Sequence, residues 1–512
     1  MKEIKRFWGC FGIGLGVLIG ALDWSIVQNA LPAIQQSLGA SIGELQWIMN
    51  AFGLFMVSLL VTMGRLGDVF GRRRLFDWGL FIFAASSLGA ALSPSPFWLI
   101  VARAIQGIGF AIIMPTTQAL LSHAFPKELH GKAMGVWATL AGVGLVFGPV
   151  LGGLIVSFLS WHWVFYINIP VAIFSYILVR TFVDESKNED SPPHIDVKGI
   201  IVFILALGLC IFGIIQAPEW GWTSPAILVS LALSVIFFVV FYFTERDSKS
   251  PLIQFSFFKN RQFCAASLSI FAGCFLFWSS FFLLPLYLQN YRNESPWVSG
   301  AVLLSVGIPF TVLSQMAGSA ADRVDKRKLL VGGLFLVSIS AFSFTLIDAS
   351  VSLYVICLIL IIFGVGQALH WAPATSLGIS SLPRNQAGVA SGAITTIQET
   401  GGSIGLALAG TMFRVAEKHH FNGIASSKQI DISPEVMTKV KSLLSDFGKL
   451  HEFLNAQVPA LSTKLIEVFK NSFLSGFHAG MTLAAAVAFI CMASIFLFAK
   501  TFKVKKEAYR LS

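Results

Sequence analysis

Residues 64–76 read GRLGDVFGRRRLF, and residues 318–330 read GSAADRVDKRKLL. Each stretch follows a long apolar run and contains a glycine, an aspartate four positions later and then a basic cluster. The second copy begins 254 residues after the first, and that interval holds eight apolar runs rather than six. The repeat therefore predicts two halves of six helices each, with two further helices inserted between them.

The composition indicates a membrane protein. Of 512 residues, 55% are hydrophobic and 12% are charged, and the mean hydropathy is +0.75, whereas soluble domains have roughly 25% charged residues. The apolar runs are long enough for helices that cross a bilayer and too long for the strands of a membrane β-barrel. We predict an all-α polytopic membrane protein with fourteen transmembrane helices, at 9–31, 45–64, 75–92, 97–121, 133–158, 163–182, 197–216, 225–243, 263–289, 298–320, 328–347, 351–373, 386–412 and 473–500.

The net charge of +10 is concentrated in the loops on one side of these helices. The basic clusters GRRR (71–74), DKRK (325–328) and KVKK (503–506) all lie on the side of the N-terminus, whereas the short loops on the other side contain Arg292. By the positive-inside rule, both termini are predicted to be cytoplasmic. The basic charge is therefore a topology signal, and we expect no nucleic-acid partner.

The repeat and the polar segments divide the chain into three parts. We predict an N-terminal six-helix bundle at 1–183, a cytoplasmic linker with the two inserted helices at 184–260, and a C-terminal six-helix bundle at 261–512. The last part includes a long external segment at 414–472. Internal repeats of this type are a feature of secondary transporters.

Charged residues within the predicted spans are few. Asp23 lies in GALDWSIVQNALP (20–32), Arg103 lies in ARAIQGIGFA (102–111), and Glu399 lies in the thirteenth apolar run. A lone charge in hydrocarbon is costly, so each needs a partner, a proton or water. We expect Asp23 and Glu399 to take up and release protons, with Arg103 as the neighbouring cation. The alternative for each residue is a purely structural hydrogen bond.

The first copy of the repeat joins two helices at their predicted cytoplasmic ends. Its glycines allow the helices to approach closely, and Asp68 can accept hydrogen bonds from the N-terminus of the next helix and from a basic side chain. We interpret the two copies as a cytoplasmic gate formed by Gly64, Gly67, Asp68, Gly71, Arg72, Arg73, Asp322 and Arg323. The alternative is that the basic residues only set the topology.

The fifth apolar run contains GVGLVFGPVLGG (142–153). Gly144, Gly148 and Gly152 are spaced at i, i+4 and i+8, so they lie on one helical face, where another helix can pack closely. Pro149 removes a backbone hydrogen bond and allows the helix to bend.

These segments resemble known motifs. GRLGDVFGRRR, ARAIQGIGFA and GVGLVFGPVLGG are similar to motifs A, B and C of the major facilitator superfamily, and motif C is the signature of its drug:proton antiporters. LDWSIVQNALP (22–32), WHWVFYINIPV (161–171) and GGSIGLALAG (401–410) resemble elements of the fourteen-span branch, the EmrB/QacA type. The resemblance covers nearly the whole chain and implies the major facilitator fold.

The sequence departs from that branch where substrate selectivity could lie. In the first span, Ser25, Gln28 and Asn29 replace the Thr, Asn and Val of the branch, and Gln398-Glu399 stands where Arg-Gln is common. These departures leave the substrate open. We take the following residues as candidates for the substrate cavity: Ser25, Gln28, Asn29, Gln106 and Gln398.

The motifs and the buried charges together predict a proton-coupled antiporter that exports hydrophobic, often cationic, compounds across the bacterial cytoplasmic (inner) membrane. No Gly-rich phosphate loop followed by Lys-Ser/Thr occurs, so we expect the proton gradient to supply the energy, with no cofactor and no metal. The alternative is a dedicated exporter of one endogenous metabolite, such as a siderophore, with the same mechanism. Expected partners are small hydrophobic substrates, protons and membrane lipids; the need for a periplasmic adaptor and an outer-membrane channel is left open.

Overall fold

A computed structural model describes residues 2–124, 130–187, 196–248, 251, 253–320, 324–348, 350–382, 387–427, 453 and 459–498. Within these ranges the protein is helical and has no β-strand. The predicted all-α fold is therefore confirmed for the part of the chain that the structure describes.

The N-terminal half contains six long helices and one short helical turn. Their starts follow ordinary helix-capping rules: Ser41 accepts a hydrogen bond from the backbone N–H of Glu44, whose carboxylate in turn accepts one from the N–H of Ser41 at 2.8 Å. Gly71 has a φ of 105°, which permits the sharp turn into the third helix. The elements are α1 (Lys2–Leu38), α2 (Ile42–Phe70), α3 (Arg72–Ala91), α4 (Pro96–Ala124), α5 (His130–Phe158), the short α6 (Trp163–Tyr166) and α7 (Asn168–Phe182).

The inserted pair and the C-terminal half follow in the predicted order. Asp196 caps the first inserted helix by accepting the N–H of Gly199 at 2.7 Å, and Pro225 occupies the first turn of the second. The inserted helices are α8 (Val197–Trp220) and α9 (Pro225–Asp247). The later helices are α10 (Arg261–Leu286), continued by a π-turn at Tyr287–Tyr291, α11 (Pro296–Ala320), α12 (Lys326–Ser343), α13 (Leu353–Ser380), α14 (Ala387–Ser427) and α15 (Pro459–Phe498).

Twelve helices in the described residues are long and apolar enough to cross a membrane. The other two predicted spans, 75–92 and 386–412, are helical as α3 and α14, but charged and polar residues lower their apolar content. The number of fourteen transmembrane helices therefore stays a prediction, as do the cytoplasmic termini and the three domain boundaries.

The two halves meet along a limited set of helices. α1 contacts α10 and α11, α5 contacts α11, and α2 contacts α14. The inserted helix α8 packs on α2 and α14 and thereby touches both halves. α14 and α15 are longer than predicted and extend into the segment 414–472 from both sides. Residues 428–452 and 454–458 of this segment lie outside the described part of the chain.

Candidate functional site

Asp23 lies at the centre of a fully buried polar network in the N-terminal half. One Nη of Arg103 donates a hydrogen bond to Asp23 Oδ2. The side-chain amides of Gln106 and Asn168 each donate to Asp23 Oδ1 at 2.8 Å. Helices α1, α4 and α7 thus meet at one carboxylate, which explains how the apolar helix α1 tolerates it.

Arg103 is also held on its other sides. Its Nε donates to the carbonyl of Ile48 in α2 at 3.2 Å, and its guanidinium lies 4.4 Å from the ring centre of Phe52. Nη1 also donates to Gln106 Oε1 at 2.6 Å, whereas no hydrogen-bond partner is found for Nη2 among the described residues. The interactions of Arg103 therefore fix α4 against α2 as well as against α1.

Glu399 lies apart from this network, in α14 of the C-terminal half. Its side chain is buried, and Oε1 accepts a hydrogen bond from Gln398 Nε2 at 3.1 Å. Within the described residues, Oε2 has no hydrogen-bond partner. The structure thus brings Asp23 and Arg103 together but does not join Glu399 to them.

A second group of buried polar atoms surrounds two tryptophans at the meeting point of the halves. The rings of Trp24 and Trp278 lie 4.5 Å apart. Trp278 also lies against Gly53 of α2 and Gly402 of α14, next to Ser403, which follows Glu399 by one helical turn. Among the described residues, no hydrogen-bond partner is found for Trp24 Nε1, Ser403 Oγ or the side-chain amides of Gln28 and Asn50.

We call Trp24, Gln28, Asn50, Trp278, Glu399 and Ser403 the central group. Gln28 follows Trp24 by one turn and shares its face of α1, and Asn50 precedes Gly53 by one turn and so lies on the face of α2 that contacts Trp278. Buried polar atoms without partners are rare in proteins, and each requires an explanation. Their clustering between the halves marks the best candidate for a ligand-binding region.

Asn29 makes hydrogen bonds between the two halves, near the end of the helices that is predicted to be external. Its Nδ2 donates to the carbonyls of Pro149 at 2.9 Å and Pro296 at 3.0 Å, while its Oδ1 accepts from Ser299 Oγ at 2.7 Å and Gln289 Nε2 at 3.0 Å. We call these five residues the outer latch. Close by, Asn290 donates to Gln35 at 3.1 Å. These bonds hold the halves together at the predicted external end.

The glycine face of α5 packs on the backbone of α1. A Cβ on Gly144 would lie 2.8 Å from the Leu18 carbonyl oxygen, a Cβ on Gly148 would overlap the Ser25 hydroxyl, and a Cβ on Gly152 would lie 2.8 Å from the Ile26 carbonyl oxygen. The Ser25 hydroxyl donates to the Gly144 carbonyl at 3.0 Å. α1 is therefore the helix that approaches this face.

The opposite side of α5 contacts α11 just as closely. A Cβ on Gly153 would meet the carbonyl of Pro296, and a Cβ on Gly300 would meet the carbonyl of Pro149. The helix that carries the glycine motif is thus packed between α1 of its own half and α11 of the other half.

At the predicted cytoplasmic end, a carboxylate binds the N-terminus of α3. Glu185 accepts the backbone N–H of Arg73 at 2.9 Å and that of Arg74 at 3.1 Å, and the Ser186 carbonyl accepts the N–H of Arg72 at 3.0 Å. A Cβ on Gly71 would lie 2.9 Å from the Glu185 carboxyl carbon. The anion at this helix N-terminus therefore comes from the segment after α7.

Other parts of the predicted gate are only partly described. Gly64 and Gly67 pack on α4, where a Cβ would lie 3.3 Å from Pro115 Cβ and 3.2 Å from Thr116 Cγ2, respectively. The side chain of Asp68 and the residues Asp322 and Arg323 lie outside the described part of the chain. The gate therefore stays a prediction.

Comparison with known proteins decides the family. Residues 13–406 match the Major Facilitator Superfamily. The chain belongs to this superfamily. It is therefore a transporter and not an enzyme, and the fold predicted from the repeat and the motifs is confirmed at this level.

Several curated relatives of this major facilitator protein are drug-resistance proteins. It is 31% identical to the tetracenomycin C resistance and export protein of Streptomyces glaucescens over 94% of this chain and 89% of the relative. It is 31% identical to the multidrug resistance protein Stp of Mycobacterium tuberculosis over 78% and 74% of the two chains, and 28% identical to the riboflavin transporter RibZ of Clostridioides difficile over 78% and 87%. A bacterial homologue of the lysosomal transporter Spinster, solved inward-facing and occupied, has a TM-score of 0.63 at 16% identity and covers 97% of each chain.

In this major facilitator protein, the network around Asp23 includes residues that the sequence analysis missed. Asn168 begins α7, and Ser87 of α3 accepts from Gln106 at 2.8 Å. Asn168 lies inside the quoted WHWVFYINIPV element, so an asparagine at the start of an apolar helix was a usable signal. Ser25, Asn29 and Gln106 make the structural bonds described above, and their role in binding substrate stays a prediction.

Proposed function

We propose that this protein is a proton-coupled multidrug exporter of the fourteen-span drug:proton antiporter branch, with both termini cytoplasmic, in the bacterial cytoplasmic membrane. The observation that carries the proposal is the buried pair of Asp23 and Arg103, held by Gln106 and Asn168 in a half that also carries the glycine motif. The drug-resistance relatives support export as the direction and small molecules as the cargo.

Asp23 is the proposed proton carrier. When Asp23 takes up a proton, its carboxyl loses the charge that pairs with Arg103, although the amides of Gln106 and Asn168 can still donate to it. Protonation thus weakens the contact between α1 and α4. Asn29 of the outer latch lies about 9 Å further along α1, so a shift of α1 reaches the bonds that hold the halves together.

The central group is the proposed substrate site. The π-faces of Trp24 and Trp278 suit flat hydrophobic compounds and cations, and Glu399 provides a buried carboxyl for a cationic group. Gln28, Asn50 and Ser403 provide neutral polar atoms that can orient a bound molecule. The site combines a broad apolar surface with few polar contacts, as a binder of diverse hydrophobic molecules requires.

A dedicated exporter of one metabolite is the second candidate. The observation in its favour is the similarity to a relative that is named for riboflavin transport. Asp23 and Arg103 would drive such a transporter in the same way, so the two candidates differ only in the selectivity of the central group.

Transport in inverted membrane vesicles tests the proposal. A preformed pH gradient is established, and a panel of hydrophobic cations, flat neutral aromatics and riboflavin is added in turn. Multidrug antiport requires several compounds to collapse the gradient in vesicles with the wild-type protein and none with Asp23→Asn. The control is Asp348→Asn, which changes an exposed carboxylate. Asp348 follows the C-terminal end of α12, whereas the second copy of the repeat lies at the N-terminal end of that helix.

The outcomes separate the candidates. If one compound alone collapses the gradient, the protein is a dedicated exporter. If no compound does so, or if Asp23→Asn behaves as the wild type, the antiport mechanism is wrong.

A further inference from the structure

A groove runs along the outer face of the N-terminal half, between α3 and α7. It has a volume of about 630 Å³, and its walls include Arg74, Asp77, Trp78, Phe81, Tyr176 and Arg180. Both helices belong to the same half, so the groove does not depend on how the halves are arranged. None of its residues takes part in the network around Asp23 or in the central group.

One end of the groove is charged. Arg180 Nε lies 2.9 Å from Asp77 Oδ2, and its guanidinium lies 5.6 Å from the ring centre of Tyr176. The side chain of Arg74 is 67% exposed, and its Nε lies 3.9 Å from Glu185, whose oxygens accept the backbone N–H groups of α3. Asp77 and Glu185 are the carboxylates that face Arg180 and Arg74, and Arg72 and Arg73 lie at the same helix N-terminus.

The rest of the groove is apolar and exposed. Trp78 and Phe81 follow Arg74 at positions i+4 and i+7 of α3, and they are 61% and 63% exposed. Ile173 lines the facing wall on α7 and is 53% exposed. From Arg74 to Ala84 the groove follows about 15 Å of helix. On a membrane-spanning bundle, such a surface faces lipid chains rather than water.

We propose that this groove is a binding site for one anionic glycerophospholipid. Arg74 and Arg180 bind the phosphate, and an acyl chain lies along Trp78, Phe81 and Ile173. The charged end lies where α3 begins and α7 ends, which the predicted topology places at the membrane surface, the depth of a lipid headgroup. Tyr176 and Trp78 belong to the residue types that prefer this interface. The site does not rest on the proposed transport function.

Native mass spectrometry of the full-length protein tests the charged end. The protein is delipidated in detergent and titrated with phosphatidylglycerol, phosphatidylethanolamine or phosphatidylcholine of the same chain length. We expect phosphatidylglycerol to bind most tightly of the three lipids. The double variant Arg74→Gln with Arg180→Gln is expected to weaken the binding of phosphatidylglycerol roughly tenfold or more. Arg74→Lys with Arg180→Lys keeps the charges and is expected to restore most of the binding. The matched control, Arg261→Gln, removes an exposed arginine at the start of α10.

Fluorescence quenching tests the position of the acyl chain. Phosphatidylglycerol with brominated chains is expected to quench tryptophan emission, and Trp78→Phe is expected to remove part of that quenching at lipid concentrations that saturate the site. Trp98→Phe, on the exposed face of α4, is the control.

Four outcomes would overturn the proposal. These are equal binding of the three lipids, equal loss of binding in Arg261→Gln, unchanged quenching in Trp78→Phe, and displacement of the lipid by inorganic phosphate at the same concentration as the lipid. The last outcome would show a site for the free anion instead of a lipid.

Discussion

Trp24 and Trp278 lie 254 positions apart in the chain, and their rings lie 4.5 Å apart in the fold. The same interval separates the two copies of the Asp-and-basic repeat at 64–76 and 318–330. Each tryptophan precedes a serine, Ser25 in α1 and Ser279 in α10, so the two dipeptides correspond between the halves. The carboxylate is not repeated, because the position of Asp23 corresponds to Phe277. The halves thus contribute matching aromatic surfaces to one place, but only the first has a carboxylate next to its tryptophan in the chain.

The tryptophan pair gives the first prediction. Trp278→Ala is expected to raise the KM for a flat aromatic substrate about tenfold, because stacking and cation–π contacts each stabilise binding by about 1 kcal/mol. Transport by Trp278→Ala should still require Asp23, because the network around Asp23 lies in the N-terminal half and Trp278 lies in the C-terminal half. Uptake into inverted vesicles at several substrate concentrations measures the effect. Trp222→Ala, in the exposed turn between α8 and α9, is the control; a KM that is the same in both variants contradicts a substrate contact at Trp278.

Asp23 and Arg103 give a prediction about stability as well as transport. Asp23→Asn leaves Arg103 with a buried charge that has lost its counterion, and such a loss destabilises proteins by about 3–5 kcal/mol. We expect a lower melting temperature in detergent together with loss of proton coupling.

The double variant separates the two effects. Asp23→Asn with Arg103→Gln contains neither charge and is expected to recover most of the thermal stability, while the coupled collapse of the pH gradient stays absent. A double variant that regains proton-coupled transport would show that Asp23 is a structural residue and not a proton carrier.

The ion pair can be predicted from the sequence, but the neutral polar residues around it cannot. The meeting of Asp23 with Arg103 can be predicted, because an apolar helix leaves a buried charge with few possible partners. Ser87 and Asn168 are neutral, and such residues are common in membrane helices, so nothing in their spacing indicates that they converge on the same site.

The contact of Glu185 with α3 could not be predicted from the sequence for a different reason. This residue lies in a polar segment without hydrophobic periodicity, so the sequence suggests only a linker. Its contact with the N-terminus of α3 depends on the tertiary placement of α7 beside α3. The helices with strong apolar runs could be located, although the ends of α14 and α15 that extend into 414–472 were missed. Contacts of single polar side chains between distant segments could not be predicted.

The glycine face of α5 gives a prediction with an internal control. Gly148→Ala is expected to destabilise the protein by about 1–3 kcal/mol, because the new Cβ would overlap the Ser25 hydroxyl and lie 2.8 Å from Ser25 Cβ. Gly142→Ala should be nearly neutral, since the nearest atom to its Cβ is Thr311 Cγ2 at 3.8 Å. Thermal unfolding of the purified variants measures both.

A second change tests the cause of this loss. Ser25→Ala removes the hydroxyl, so combining it with Gly148→Ala should recover part of the stability lost by the single variant. If Gly148→Ala and Gly142→Ala destabilise equally, close packing between α5 and α1 is not the reason for the glycine.

The outer latch gives the last prediction. Asn29→Ala removes an amide that makes four hydrogen bonds, to Pro149, Pro296, Ser299 and Gln289, and so removes the polar contact that joins α1 and α5 to α11. The latch stabilises the conformation in which this end is closed, and a protein that alternates between two conformations shifts toward the one that a substitution destabilises less. The variant should therefore favour the conformation that is open at the predicted external end. Hydrogen exchange should then increase in 146–158 and 296–307, and it should stay unchanged around Arg103, which lies outside the latch. Ser343→Ala, which removes an exposed hydroxyl bonded within α12, is the control. Equal protection of 296–307 in Asn29→Ala and in the wild type would mean that the contact of Gly153 and Gly300 with the facing backbones closes this end without the latch.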